Sequence, residues 1–285
     1  MNCTELARAV EKFASLTHSL EDAGLERPWT WQDYDEGVRF AFFRTYEELR
    51  TLAARLGTLR ITVGPQVTTT QRILSQYHAA YRDMQVSVLG VNDALARQEP
   101  PGEWSLRTTL AHIIQAERSF FAIVSFTLDR ARQGELAPAE MNEEVWDAFW
   151  AGDPFRHLHE NAPFSALMDY YAGLHARVLE TFATAGDEEL ATPSVFWESQ
   201  AMPVEFRLHR FDSHLRQHTI QMEKILVLLD LDPSESHRLL RLIYAALAEV
   251  EGIMLGSLKL GEEKCRAAAE AIARRADEIA AARAI

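Results

Sequence analysis

Residues 206–226 read FRLHRFDSHLRQHTIQMEKIL, and the apolar residues of this stretch recur at intervals of three, four and seven positions. An α-helix brings such positions onto one face, so the stretch, which follows Pro203, predicts an amphipathic helix. Three earlier windows between prolines repeat this spacing. In none of them do apolar and polar residues alternate as they would in a half-buried strand. These windows begin after Pro65, Pro101 and Pro163.

The four windows occupy about residues 66–232 and predict an all-α protein built on a four-helix bundle. Ser105 stands in front of the second helix, where its side chain can cap the first turn. A helical pair flanks the bundle on each side, one within 1–65 and one within 233–285. The second helix of the N-terminal pair is expected to begin at Gln32. A lone helical pair buries too little surface to stand alone, so the pairs either pack together as a second bundle or each cover the first.

The chain has 285 residues, with 29 Lys and Arg against 42 Asp and Glu, for a net charge of −13. Such a chain is repelled by phosphate, which argues against nucleic-acid or anionic-membrane partners. Cys3 and Cys265 cannot form a disulfide framework, and the start lacks a secretory signal, so a cytoplasmic protein is expected. The longest nearly apolar stretch, residues 120–128, is too short to cross a bilayer. The partner expected is a small-molecule substrate, and the pattern does not decide whether the chain forms a homodimer.

Two histidines of the fourth helix are candidate metal ligands. His214 and His218 are four residues apart, so they lie about 40° apart on one helix face, at the edge of the apolar arc. His112 occupies a similar edge of the second helix. Three imidazoles from two helices can bind one divalent metal ion and leave a coordination position open, and Zn²⁺, Ni²⁺ and Co²⁺ all suit imidazole. The alternative is a hydrogen-bonded histidine cluster in the core.

Four more polar residues are candidates for support or substrate binding. Arg207, Arg210 and Gln221 share the histidine side of the fourth helix, where arginine could hold an anionic substrate. The alternative is that both arginines are solvated at the mouth of the bundle. Glu117 lies about 140° from His112, in the middle of the apolar arc. A carboxylate buried there either pairs with an arginine or serves as a general base near the metal.

The stretch PGEWSLRTTLAHIIQAERSF, residues 101–120, resembles the second-helix signature of the DinB-like family, and the last helix carries that family's His-x-x-x-His pair followed by Gln. The resemblance covers more than half of the chain, about residues 66–231. It implies a four-helix bundle with a three-histidine site for one divalent metal ion. The residues that carry it are Trp104, Ser105, His112, Glu117, Arg118, His214, His218 and Gln221.

The family includes bacillithiol- and mycothiol-dependent enzymes. The resemblance therefore implies a metal-dependent enzyme that uses a low-molecular-weight thiol for transfer to, or isomerisation of, a small electrophile. Metal-assisted hydrolysis is the second reaction class, and a non-catalytic helical protein that binds metal or a partner is the alternative.

The sequence contains none of the motifs GxGxxG, GxxxxGK[ST], HExxH, GxSxG or CxxC, which weakens nucleotide-dependent, zincin, α/β-hydrolase and thioredoxin-like alternatives.

Overall fold

The computed structural model describes residues 4–198, 200–257 and 259–283, and these form two compact units. We call them the central unit and the flanking unit. Within those limits, the central unit contains residues 68–80 and 91–229, and the flanking unit contains residues 4–67, 81–90 and 230–283.

The described residues are mainly helical, which confirms the all-α prediction. The helices are α1 (Thr4–Thr17), α2 (Asp22–Leu25), α3 (Val38–Val63), α4 (Thr69–Ser87), α5 (Asp93–Ala96), α6 (Leu106–Arg132), α7 (Glu143–Phe149), α8 (Phe155–Asn161), α9 (Phe164–Phe182), α10 (Val204–Leu228), α11 (Glu235–Met254) and α12 (Glu262–Arg283). The strands are β1 (Pro28–Trp31), β2 (Tyr34–Gly37), β3 (Pro193–Ser194) and β4 (Met202–Pro203), and a 3₁₀ helix spans Asp187–Ala191. Among the described helices, none carries an uncharged apolar stretch of the length that a bilayer crossing requires.

The central unit is built from α6, α9, α10 and the first part of α4, the four helices that the proline-bounded windows predict. The side-chain oxygen of Ser105 accepts a hydrogen bond from the Thr108 N–H, so the predicted N-cap of α6 is present. The interior is filled by large apolar side chains such as Phe120, Phe211 and Leu215. Because α6 packs along α10, residues on their facing sides lie next to each other.

The flanking unit joins helices from the two ends of the chain. α1 packs against α12, and α3 packs against α11, so these four helices share one apolar core. Phe13, Phe42, Leu247 and Ile272 are among its fully buried members. Of the two arrangements that the spacing left open, the described residues adopt the shared one. Residues 81–90 also belong to this unit, although the sequence places them in the bundle.

The segment before α3 departs from the sequence prediction. A helix was expected from Gln32, but β1 and β2 form an antiparallel pair there and α3 begins only at Val38. Gln32 has a φ of 53°, in the left-handed region that suits a tight turn. Trp29 and Trp31 are aromatic residues that favour strands, and Pro28 cannot donate a backbone hydrogen bond.

Candidate metal centre

The structure brings His112, His214 and His218 together in the central unit. His214 and His218 follow each other on the side of α10 that faces α6, where His112 is located. One ring nitrogen of each residue lies within 4.8 Å of those of the other two. The Nε2 atoms of His112 and His214 are 3.3 Å apart. His214 and His218 are buried, and His112 is half-buried and the most exposed of the three.

Gln221 orients the His218 ring through a hydrogen bond. Its Oε1 lies 2.8 Å from Nδ1 of His218. An amide oxygen can only accept a hydrogen bond, so Nδ1 carries the hydrogen and Nε2 keeps its lone pair. Metal-binding histidines are usually oriented by such a bond from the other ring nitrogen. The Nδ1 atom of His214, in contrast, is buried without a hydrogen-bond partner.

The surroundings keep two of the rings neutral. Burial lowers the pKa of His214 to about 3, with further lowering by the charges of His218, His112 and Arg210. Burial, followed by the charge of His218, also lowers the pKa of His112. Both rings are therefore uncharged at pH 7. A metal ligand must be a neutral imidazole, so the two rings need no deprotonation at that pH before they can bind an ion.

The donor set fits a divalent ion that prefers nitrogen ligands. Zinc–nitrogen bonds of about 2.0–2.1 Å in a tetrahedron place two nitrogens about 3.3–3.4 Å apart, which matches the spacing of His112 and His214. Among the described residues, no carboxylate or thiol belongs to the cluster. Three histidines this close together can bind a metal ion, and three protein ligands leave one tetrahedral position open.

Aromatic side chains line the approach to the cluster. The Trp104 ring meets the edge of the His112 ring at 5.3 Å between centroids, and 45% of its surface is exposed. The Phe120 ring lies 5.7 Å from the His214 ring, and the Trp197 ring lies 5.9 Å from that of Phe120. Trp197 is 58% exposed. The sequence did not point to Trp197, because its position depends on how the segment between β3 and β4 folds.

The two candidate arginines have different surroundings. Arg207 is fully buried, so it is not solvated at the mouth of the bundle. Its Nη1 donates to Oε1 of Glu198 at 2.6 Å, and its Nε donates to Oγ of Ser194 at 3.0 Å. Arg210 is half-buried, with its guanidinium carbon 5.9 Å from the centroid of the Phe120 ring.

Glu117 is fully buried, but its partners are tyrosines rather than the arginine that one sequence alternative expected. Tyr171 donates to its Oε1 at 2.8 Å, and Tyr77 donates to its Oε2. Burial raises the pKa of Glu117 to about 8, although both hydrogen bonds act in the opposite direction. Glu117 does not belong to the histidine cluster. Its place in the middle of the apolar arc of α6 directs it into the core instead.

We expect Glu117 to make the stability of the central unit depend on pH. The folded protein keeps the proton up to pH about 8, whereas the unfolded chain loses it at about 4.5. The free energy of unfolding should therefore fall by at most about 1.4 kcal/mol per pH unit between these values. The amide side chain that Glu117→Gln introduces carries no charge at any of these pH values. The free energy of unfolding of this variant should therefore lack the pH dependence that Glu117 causes. Denaturant unfolding at pH 5, 6.5 and 8 measures the difference.

Glu180→Gln is the matched control, because Glu180 is exposed on α9. It should keep the slope of the wild type. A Glu117→Gln variant whose stability follows that of the wild type at all three pH values would contradict the prediction.

A family model described as the DinB superfamily matches residues 76–222. The match covers just over half of the chain and includes all three clustered histidines. No curated protein and no solved structure matches the chain significantly.

Proposed function

The chain belongs to the DinB superfamily, and we propose that it is a divalent-metal-dependent enzyme in which His112, His214 and His218 hold the ion. The reaction is thiol-dependent transfer to, or isomerisation of, a small electrophile, with a low-molecular-weight thiol as cosubstrate. The observation that carries this proposal is the convergence of three ring nitrogens within 4.8 Å. When bound, a divalent ion supplies Lewis acidity, which lowers the pKa of a coordinated thiol or water.

The ligand set supports a catalytic rather than a structural site. Structural zinc sites are usually closed by four protein ligands, whereas catalytic sites have three. Histidine binds a metal ion as a neutral imidazole, so a three-histidine site leaves the positive charge of the ion to attract an anionic ligand. The half-exposed ring of His112 and the exposed rings of Trp104 and Trp197 give a small molecule access to the cluster.

The residues around the cluster favour a thiol reaction over hydrolysis. A metal ion can activate water by itself, but hydrolytic sites usually add a general base within hydrogen-bonding reach of that water. Both oxygens of Glu117 are hydrogen-bonded to tyrosines, and no described carboxylate joins the cluster. Cys265 is buried in the core of the flanking unit, and Cys3 lies outside the described residues. In this proposal the thiol is a separate small molecule that comes from solution.

A thiol-transfer assay tests the proposal. Full-length protein loaded with zinc is mixed with 1-chloro-2,4-dinitrobenzene and, in turn, with bacillithiol, mycothiol or glutathione. A carbon–sulfur bond forms, chloride leaves and the thiol proton passes to solvent, so absorbance follows the product. At least one thiol should react faster than with free zinc, and His214→Ala should lose this acceleration. If zinc is bound but no thiol reacts faster, hydrolysis or a non-catalytic role replaces the proposal.

A further inference from the structure

Arg210 keeps an unused hydrogen-bond donor although it stands beside the histidine cluster. Its Nε is buried without a hydrogen-bond partner. The hydrogen bond from Arg207 is the main cause that lowers the pKa of Glu198, and the charge of Arg210 adds to this effect. Arg207, one turn earlier on the same face of α10, is already held by Glu198 and Ser194. A half-buried guanidinium with an unused donor costs desolvation that a bound anion would recover.

The position of Arg210 directs that charge toward the cluster. It precedes His214 by four residues, so the two side chains are neighbours on one helix face. Its charge acts on the His214 ring, and its guanidinium lies 5.9 Å from the Phe120 ring, which itself contacts His214. An anionic group bound to Arg210 would therefore sit next to the three histidines.

The surrounding rings add an apolar wall to this cation. Trp197 contacts Phe120, whose ring in turn contacts His214, and 58% of Trp197 is exposed. An exposed aromatic ring and a guanidinium with an unused donor, both close to the cluster, suit a molecule that joins a flat or apolar body to an anionic end.

We propose that Arg210 binds the oxyanion, such as a carboxylate, of the substrate whose apolar part rests on the exposed ring of Trp197. This inference rests on the proposed function, because it places the substrate at the same cluster. It narrows the substrate class to small organic anions. The planar guanidinium can bind a carboxylate through two parallel hydrogen bonds.

A matched pair of probes tests this assignment on the full-length chain. 3-Phenylpropionate and 3-phenylpropan-1-ol share an apolar body and differ at the carboxylate. Calorimetry measures both dissociation constants with zinc-loaded and with metal-free protein. The wild type should bind the carboxylate more tightly than the alcohol. Arg210→Met should weaken carboxylate binding by about 10- to 100-fold, the loss expected for charge-assisted hydrogen bonds, and leave the alcohol unchanged.

The control is Arg216→Met, since Arg216 lies on the same helix but is exposed and paired with Asp212 at 2.8 Å. It should bind both probes as the wild type does. Equal carboxylate affinity in Arg210→Met and wild type, or no binding of 3-phenylpropionate at about 10 mM, would overturn the inference. Failure of zinc binding would overturn the proposed function instead, and the titrations of metal-free protein would still decide the role of Arg210.

Discussion

Replacing His218 with alanine is expected to lower the Zn²⁺ affinity of the full-length protein by more than about 100-fold without unfolding it. Loss of a residue that merely orients a ligand costs about 10- to 100-fold in metal affinity, and loss of a ligand removes a bond to the metal. The helix should persist because buried apolar side chains, such as Leu215 and Met222, hold α10 in the bundle. Calorimetric titration against a competing chelator, beside a thermal melt, measures both properties.

Two further substitutions on α10 calibrate this result. Gln221→Ala removes only the acceptor that fixes the His218 ring, so it should weaken zinc binding by about 10- to 100-fold. His209 is exposed and stands apart from the cluster, so His209→Ala should bind zinc as the wild type does. A His218→Ala protein with wild-type zinc affinity would exclude the three-histidine site.

The second large effect is expected at a buried ion pair of the flanking unit. Nε and Nη2 of Arg82 donate to the two carboxylate oxygens of Glu251 at 2.8 Å and 2.6 Å. Only 5% of Arg82 and 2% of Glu251 is exposed. Burial lowers the pKa of Arg82, but the charge and hydrogen bonds of Glu251 outweigh it and raise the pKa overall. Arg82→Met would remove both of these charge-assisted hydrogen bonds from the buried Glu251 carboxylate.

We therefore expect Arg82→Met to lower the free energy of unfolding of the flanking unit by about 3–5 kcal/mol. The double variant Arg82→Met/Glu251→Leu should recover most of the loss, because an apolar pair of similar volume replaces a buried ion pair at little cost.

Arg241→Met is the control, since Arg241 pairs with Asp83 in a more exposed position and such pairs contribute about 0–1 kcal/mol. Urea unfolding followed by circular dichroism compares the four proteins. Equal losses in Arg82→Met and Arg241→Met would contradict the prediction.

The features that the sequence could predict depend on local spacing. The helix periodicity and the prolines predicted the helices of the central unit. Ser105, in front of an apolar run, predicted the N-cap of α6. The four-residue spacing of His214 and His218, with His112 at the edge of another apolar arc, was enough to expect that their rings meet. Whether they hold a metal ion stays a prediction that the titrations decide.

The features that the sequence did not reveal depend on contacts between distant segments. The partners of Glu117 are 40 and 54 residues away, so nothing beside it indicated tyrosines rather than an arginine. Arg207 is buried, and its hydrogen bonds are accepted by Ser194 of β3 and by Glu198 of the segment that follows. The segment from Pro28 to Gly37 forms two strands instead of the start of a helix. Its aromatic residues favour strands, and a tight turn between the two strands allows them to pair.

The segment that joins β3 to β4 also has an evolutionary consequence. It carries Trp197, while the three clustered histidines stand on α6 and α10. The buried Arg207 ties β3 to α10 through Ser194 and ties the segment itself to α10 through Glu198, so the segment stays anchored when its other residues change. Mutation can therefore reshape the wall of the site without disturbing the histidines. Duplicated copies of such a gene could diverge in the molecules they accept by drift in this one short loop.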